Sequence, residues 1–185
     1  HGAYLSYGVE TAIDRSAPSL GELVANEIAT FQPQAGRRGI AIQLDSRGDT
    51  VVFGDRRKLR QIVSSLISNA VKFTPDQGRV GVAVRPGPLD PAGNNGSPPA
   101  VQLVVSDSGI GISRDQVAKI FEPFFQVDSS STRAFGGLGL GLPLVKSLVE
   151  MHGGTVDARS AGLDRGAEFI VRFPIAASDS HEERA

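Results

Sequence analysis

The chain has 185 residues, a formal charge of −1 and no cysteine. Its length and its 40% hydrophobic and 21% charged residues are typical of one globular domain with a sizeable core, and the charge balance argues against extended nucleic-acid binding. The lack of cysteine excludes disulfides, and no apolar run reaches the ~18 residues that a membrane span needs, so we expect a cytoplasmic domain without nucleic-acid or membrane contacts of its own.

The first third of the chain predicts one helix followed by two short strands. A capping box at 19–22 begins the helix, and we expect Pro33 to end it. Residues 40–44 and 51–53 have the apolar and β-branched content of strands. The segment 1–18 before the capping box is interpreted as a linker or as the end of an upstream helical region.

The middle of the chain predicts a long amphipathic helix and two further strands. Apolar residues recur at steps of three and four from Leu59 to Val71, and Pro75 is expected to close this helix. Strands are expected at 80–84 and 101–105, the second of them apolar enough to lie in the centre of a sheet. The connection 86–99 contains five prolines and three glycines, which predicts an exposed loop.

The last third predicts a further amphipathic helix between polar and glycine-rich segments. Pro143 suits the first turn of that helix, and Gly153 with Gly154 suits its end. In chain order we expect a short helix from 113, the amphipathic helix with apolar positions at 144–149, strands at 155–159 and 168–173, and a polar tail at 176–185. The whole pattern predicts an α+β, two-layer α/β sandwich with a mixed sheet of about five strands and about three helices on one face.

Asn69 lies beside the apolar face of the helix from Leu59 to Val71, about 60° from its centre at Leu66 on a helical wheel. A polar amide at this position must be hydrogen-bonded, or its burial costs free energy. Two interpretations stay open. The amide either bonds a neighbouring backbone group or supplies an oxygen ligand to a hard cation such as Mg²⁺.

Two glycine-containing motifs lie at the ends of predicted elements. The motif from Asp107 to Ile112 follows the central strand, where a carboxylate can accept a hydrogen bond from an exocyclic amine and glycines allow a planar ligand to approach the backbone. The motif from Gly137 to Leu142 opens a helix, where free N–H groups and the helix dipole favour a phosphate. Its spacing matches neither a Walker P-loop nor a Rossmann fingerprint.

Taken together, these motifs resemble the catalytic ATP-binding domain of the sensor and hybrid histidine kinases. The matching segments occur in the family's order: 69–74 resembles the N box, 107–112 the first glycine box, 121–125 the F box, and 136–142 with 152–154 the second glycine box and its helix. The resemblance covers 19–175. It implies the Bergerat fold, the GHKL-type ATP-binding sandwich shared with gyrase, heat-shock chaperone and mismatch-repair ATPases.

The resemblance also implies a role for each matching residue, with ATP and Mg²⁺ as the cofactors. Asn69 and Lys72 would act on the phosphates, Asn69 as the ligand of Mg²⁺ and Lys72 as a phosphate contact. Asp107 would accept a hydrogen bond from the adenine amine. The other residues implied to surround the nucleotide, several of them in or beside a lid at 126–135, are Phe73, Gly109, Gly111, Ile112, Phe121, Arg133, Gly137, Leu138, Gly139, Leu140 and Gly141.

The function implied is transfer of the γ-phosphoryl group of ATP to a histidine. No histidine of the chain has the His-Glu-x-Arg-Thr-Pro context of the family's acceptor, so we expect a dimerisation domain outside this chain to carry it, with a response-regulator receiver domain as a further partner. His152 is interpreted as structural.

Three departures from the family pattern bear on these expectations. Ser65 stands where the family has a second asparagine, and Leu138 replaces a small hydroxyl residue. Both favour the alternative of a non-catalytic nucleotide-binding signalling module. A hydrolytic ATPase of the same fold is a further alternative, but it would need an activating carboxylate near Ser65. The cations at 56–58 form either a solvated face or a docking site for an acidic partner, such as a receiver domain.

Overall fold

A computed structural model describes residues 17–93, 96–123 and 141–175 of the chain. The helices and strands follow one another in this order: α1 Leu20–Arg37, β1 Ala41–Ser46, α2 Arg56–Phe73, β2 Arg79–Pro88, β3 Pro99–Asp107, α3 Arg114–Val117, α4 Gly141–Met151, β4 Thr155–Arg159 and β5 Ala167–Pro174. The expectations for 1–16, for the lid and for the tail at 176–185 fall outside the described residues. Within the described ranges, no helix is long and apolar enough to span a bilayer.

The five strands form one mixed sheet in the order β1-β2-β3-β5-β4. Strand β1 pairs with β2 in parallel, and the other three neighbouring pairs are antiparallel. The central position of β3 confirms the expectation drawn from its apolar run. Since β3 is central, the residues that follow its last residue, Asp107, emerge in the middle of one edge of the domain.

The core lies between one face of the sheet and the helices α1, α2 and α4. Alternate residues of β2, β3 and β5 point into it, and their register places Val82, Val105 and Phe169 in one row across the three strands. Leu59, Ile62 and Leu66 of α2 are fully buried in the same cluster. The two-layer α+β sandwich with a mixed five-stranded sheet is therefore confirmed.

The expected end of α1 at Pro33 is wrong, because the helix continues to Arg37 with the proline inside it. Pro33 is exposed, so the backbone carbonyl that loses its helical hydrogen bond can turn to water. Ala35 is completely buried just beyond the proline. The burial of that apolar residue holds the last turn in place.

Two further expectations about strands need correction. Residues 51–53 do not form a strand of the sheet; instead Val52 N–H donates to Pro18 O, and Leu20 N–H donates to Thr50 O, both at 3.0 Å. The loop 86–99 is shorter than expected, because β2 runs to Pro88 and β3 begins at Pro99. The prolines are tolerated because Leu89 N–H donates to Pro98 O, on the side of β3. The alternate positions of β2 therefore face its other edge, beyond the end of β1.

Candidate active site

The last turn of α2 carries three of the residues singled out in the sequence: Asn69, Lys72 and Phe73. Asn69 is buried, with 5% of its surface exposed, and its Nδ2 has no hydrogen-bond partner within the described ranges. The simple interpretation, in which neighbouring backbone groups satisfy the whole amide, therefore does not hold for the residues described. A buried amide that lacks a partner costs free energy unless a ligand supplies one.

The carbonyl groups at the C-terminal end of α2 are bound by groups from distant parts of the chain. Arg38 Nη1 donates to Val71 O at 2.7 Å, and its Nη2 donates to Thr74 O. The Nε of the same guanidinium pairs with Asp76 at 2.9 Å. Thr74 closes the helix from the other side, since both its N–H and its hydroxyl bond Ala70 O. The turn that carries Asn69 is thereby fixed.

The loop after β3 is attached to the same end of α2. Ile110 N–H donates to Phe73 O at 3.2 Å. A Cβ on Gly109 would lie 2.2 Å from that same carbonyl oxygen, so only glycine permits the contact. The first glycine of the motif thus brings the Asp107 loop against the backbone of Phe73.

The Asp107 carboxylate lies where the loop meets the beginning of β5. Its Oδ1 accepts a hydrogen bond from Gly109 N at 2.9 Å, and the main chain of Ala167 also bonds this carboxylate. Burial raises the pKa of Asp107 from 3.8 to about 6, because desolvation outweighs the two backbone hydrogen bonds. The carboxyl group is therefore mainly charged at neutral pH, and it is half protonated at a pH of about 6.

A cavity joins the end of α2, the Asp107 loop and the first turn of α4. Its walls are apolar except for two polar side chains, Asn69 and Asp107. The lining residues are Asn69, Phe73, Asp107, Ile110, Gly111, Ile112, Ile120, Leu142, Ala167 and Phe169. A mostly apolar cleft with a few convergent polar groups is the usual form of a small-molecule site, and here it suits a flat ring that carries a hydrogen-bond donor.

The structure brings five of the sequence-predicted residues together around this cavity: Asn69, Phe73, Asp107, Gly111 and Ile112. Others stand nearby without lining it. Lys72 is half-buried on the same turn as Asn69, Gly109 supports the loop, Phe121 meets Phe169 edge-to-face at 6.3 Å, and Gly141 begins α4. Those that fall outside the described residues are Arg133, Gly137, Leu138, Gly139, Leu140 and the lid.

Sequence reasoning missed several walls of the cavity, notably Phe169 and Ala167 of β5. The alternation of Phe169, Val171 and Phe173 could have indicated which side chains face inward. What it does not indicate is that β5 lies next to β3, which places Phe169 opposite Val105 and Ala167 opposite Asp107. Ile120, which follows α3, and Leu142, the last residue of the second glycine motif, were likewise not assigned to the cavity from the sequence.

The donor groups at the cavity can be compared with what Mg²⁺ requires. Mg²⁺ takes oxygen ligands in octahedral geometry and keeps several waters, so one amide oxygen can suffice where phosphates supply the rest. Asn69 lines the cavity and could supply such a ligand through its amide oxygen, while its unpaired Nδ2 is a donor that suits an acceptor such as a phosphate oxygen. Among the described residues, no group of three or more His, Cys, Asp or Glu could hold a metal by itself.

His152 occupies a structural position far from the cavity. Its Nε2 accepts a hydrogen bond from Asp55 N at 3.1 Å, while its Nδ1 lies 2.8 Å from Leu148 O. The ring also meets Phe173 edge-to-face at 6.0 Å. His152 thus contacts Asp55, the cap at the beginning of α2, which lies roughly 21 Å along that helix from Asn69. These contacts support the structural interpretation.

The comparisons with known proteins agree with this geometry. The sequence profile described as histidine kinase-, DNA gyrase B-, and HSP90-like ATPase matches residues 54–177. The chain is 38% identical over 156 residues to the autoinducer 2 sensor kinase/phosphatase LuxQ of Vibrio vulnificus, covering 83% of this chain and 18% of that protein. It is 40% identical over 161 residues to the circadian input-output histidine kinase CikA of Synechococcus elongatus, covering 84% and 20%.

Two solved structures show the same fold. The mycobacterial sensor histidine kinase MprB has a TM-score of 0.70 at 25% identity, covering 86% of this chain and 97% of that one. Full-length ShkA in complex with AMPPNP has a TM-score of 0.70 at 30% identity, covering 90% of this chain and 32% of that one. The chain thus spans about a fifth of the length of the curated relatives LuxQ and CikA.

Proposed function

Because the chain belongs to the family of histidine kinase-, DNA gyrase B-, and HSP90-like ATPases, we propose that it is the ATP-binding catalytic part of a protein histidine kinase. It would bind ATP with Mg²⁺ and present the γ-phosphoryl group to a histidine on a dimerisation domain. The observation that carries the proposal is the pairing of a half-buried carboxylate, Asp107, and a buried amide, Asn69, in one apolar cavity. The kinase names of its relatives support the same reaction.

The adenine ring would occupy the apolar part of the cavity. Ile110, Ile112 and Phe169 offer apolar surface there, and Asp107 offers the one carboxylate among the described lining residues. A carboxylate accepts a hydrogen bond from the amine of adenine, whereas it would face the oxygen that guanine carries at the same place. This predicts strong preference for ATP over GTP.

The phosphates would lie toward the last turn of α2. Asn69 would hold Mg²⁺ there through its amide oxygen, and the bound ion would neutralise charge that develops on the phosphates. Lys72, on the same turn, would contact a phosphate. Phosphoryl transfer depends mainly on such positioning and charge neutralisation, so this part of a kinase can prepare ATP while the acceptor histidine lies on another domain.

Ser65 argues against the alternative of a hydrolytic ATPase. It precedes Asn69 by about one turn of α2, where related ATPases carry a water-activating glutamate. Within the described part of the cavity wall, the only carboxylate is Asp107, which is assigned to the base. The expected partners are a phosphoacceptor domain and a receiver domain, both in the cytoplasm.

The test supplies labelled ATP and a histidine kinase dimerisation domain to the chain, with and without Mg²⁺. We expect an acid-labile, base-stable phosphohistidine on the added domain, no labelling of the chain itself and only slow hydrolysis. Asn69→Ala should weaken ATP binding at least tenfold with Mg²⁺ and little in EDTA, while Ser65→Ala, one turn away, should change it much less. Tight ATP binding without transfer would favour the signalling module, and rapid hydrolysis the ATPase.

A further inference from the structure

The connection between β4 and β5, residues 160–166, packs behind the Asp107 loop. Gly166 N–H donates to Gly109 O at 3.1 Å, and Asp164 N–H donates to Ile110 O at 2.8 Å. Two main-chain hydrogen bonds therefore join a segment near the C-terminal end of the domain to the glycine motif that forms the base pocket. None of the sequence motifs includes this segment.

Two glycines allow the two loops to approach each other this closely. Gly111 has a φ of +69°, and a Cβ there would lie 2.1 Å from Gly162 O. Gly166 has a φ of +72°, and a Cβ there would lie 2.1 Å from Asp107 O. Both positions combine a left-handed backbone with contact between main chains, so any side chain would force the loops apart. The second glycine of the Asp107 motif thus serves loop packing as well as the cavity.

The hydroxyl of Ser160 joins the two loops at a single atom. Its Oγ accepts hydrogen bonds from Ile112 N at 3.0 Å and from Gly162 N at 3.2 Å. It donates to Gly166 O at 2.6 Å, with Gly162 O further away at 3.1 Å. A serine hydroxyl has one proton and two lone pairs, and here all three are used inside the protein.

We propose that Ser160 is a positioning residue for the base pocket. It holds the connection 160–166 against the Asp107 loop and so fixes the direction in which the Asp107 carboxylate points. The Asp107 carboxylate bonds the main chain of Ala167, the residue directly after the connection, and Gly109 N, so both of these contacts depend on the junction. This inference rests on the proposed function, in which Asp107 reads the adenine amine.

The consequence concerns nucleotide selectivity as well as stability. A single carboxylate distinguishes adenine from guanine only while it is held in one geometry, because displacement by a fraction of an ångström weakens the preferred hydrogen bond. Removing the Ser160 hydroxyl leaves Ile112 N, Gly162 N and Gly166 O without their shared partner. The Asp107 loop then gains freedom while the last turn of α2 keeps its own contacts.

The experiment measures ATP and GTP binding to Ser160→Ala by calorimetry, with Mg²⁺ and again in EDTA. We expect about tenfold weaker ATP binding in both conditions and a smaller ratio of ATP to GTP affinity, because the change lies at the base rather than at the phosphates. Hydrogen exchange should show faster exchange of the Ile112 amide. Ser113→Ala is the matched control, since Ser113 precedes α3 close to the same loop but makes no side-chain capping bond.

Asp107→Asn, measured in parallel, separates failure of this inference from failure of the proposed function. If Asp107→Asn weakens ATP binding while Ser160→Ala keeps the affinity and the ATP to GTP ratio of the original chain, the inference is overturned and the proposed function stands. If neither variant changes ATP binding, the proposed function fails with it. Should Ser160→Ala not fold, Ser160→Cys provides a smaller change at the same atom, and unchanged ATP selectivity there would also overturn the inference.

Discussion

The free backbone groups at the two ends of helix α2 find their hydrogen-bond partners in different ways. At its beginning, Asp55 accepts hydrogen bonds from Arg57 N and Lys58 N, which is a local cap that the sequence itself contains. At its end, the carbonyls bond Arg38, Thr74 and Ile110, two of which are about 35 residues away in the chain. The cap of the first end comes from a sequence neighbour, with one further contact from His152, whereas the second end depends mainly on distant residues.

The two ends also differ in charge and in how completely their polar groups are hydrogen-bonded. Arg56, Arg57 and Arg60 crowd the beginning of α2 and lie at the surface, with Arg60 paired to the buried Glu27 at 2.7 Å. The cavity end instead contains an amide that is incompletely bonded and a carboxylate that burial destabilises. The difference indicates that the unfavourable groups are concentrated where a ligand can satisfy them, which is typical of functional sites.

The largest expected effect concerns Asp107 and pH. Because its folded pKa, about 6, lies above the unfolded value of 3.8, the folded state binds the proton more tightly, and the free energy of unfolding falls as pH rises from about 4 to 6. The loss approaches about 3 kcal/mol at pH 7. Asp107→Asn should remove it, so urea unfolding should show a variant that is more stable than the original chain at pH 7 but not at pH 4.

The same variant separates stability from binding. Asp107→Asn should weaken ATP binding about ten- to a hundred-fold at pH 7, since it replaces a charged acceptor by a neutral amide. ATP affinity of the original chain should also fall as pH drops through about 6, and the variant should lack that part of the pH dependence. If Asp107→Asn is no more stable than the original chain at pH 7 and binds ATP normally, the cavity end of α2 does not hold an unfavourable group that serves the ligand.

The second effect tests whether the cavity end depends on distant groups. Arg38→Ala removes the charged donor from Val71 O and Thr74 O, and we expect the free energy of unfolding to fall by about 2 kcal/mol. ATP binding should weaken too, because the turn that carries Asn69 loses its support. Arg37→Ala, which changes an exposed arginine one position earlier, is the control and should leave both quantities nearly unchanged. Equal effects of the two variants would refute the role given to Arg38.

The smallest effect tests the other end of α2. Asp55→Ala removes the helix cap and should cost about 1 kcal/mol of stability in thermal or urea unfolding. ATP affinity under conditions where the variant is folded should not change, because the cavity lies at the far end of the helix. Asp55→Ser keeps a capping oxygen and should recover most of the stability. Weaker ATP binding by Asp55→Ala alone would show that the two ends are coupled.

Much of the fold was visible in the sequence because it depends on patterns between near neighbours. The steps of three and four from Leu59 to Val71 correctly predicted α2, and the apolar run at 101–105 correctly predicted a central strand. Asn69 and Asp107 were also found, since an amide beside an apolar face and a carboxylate at the end of a buried strand are local features. Such patterns arise because one side of each helix or strand is buried while the other side stays exposed to water.

The tertiary structure decided what depends on pairing between distant segments. The burial of Ala35 stabilises the last turn of α1 beyond Pro33. The N–H of Val52 bonds Pro18 O rather than a strand of the sheet. Arg38 and Ser160 do not line the cavity but bond the backbone of two segments that form it, across separations of 33 and 48 residues, and no sequence motif includes them. A single hydrogen bond between distant residues leaves no periodic trace in a sequence, because its partner is chosen by where the whole chain brings the two groups together.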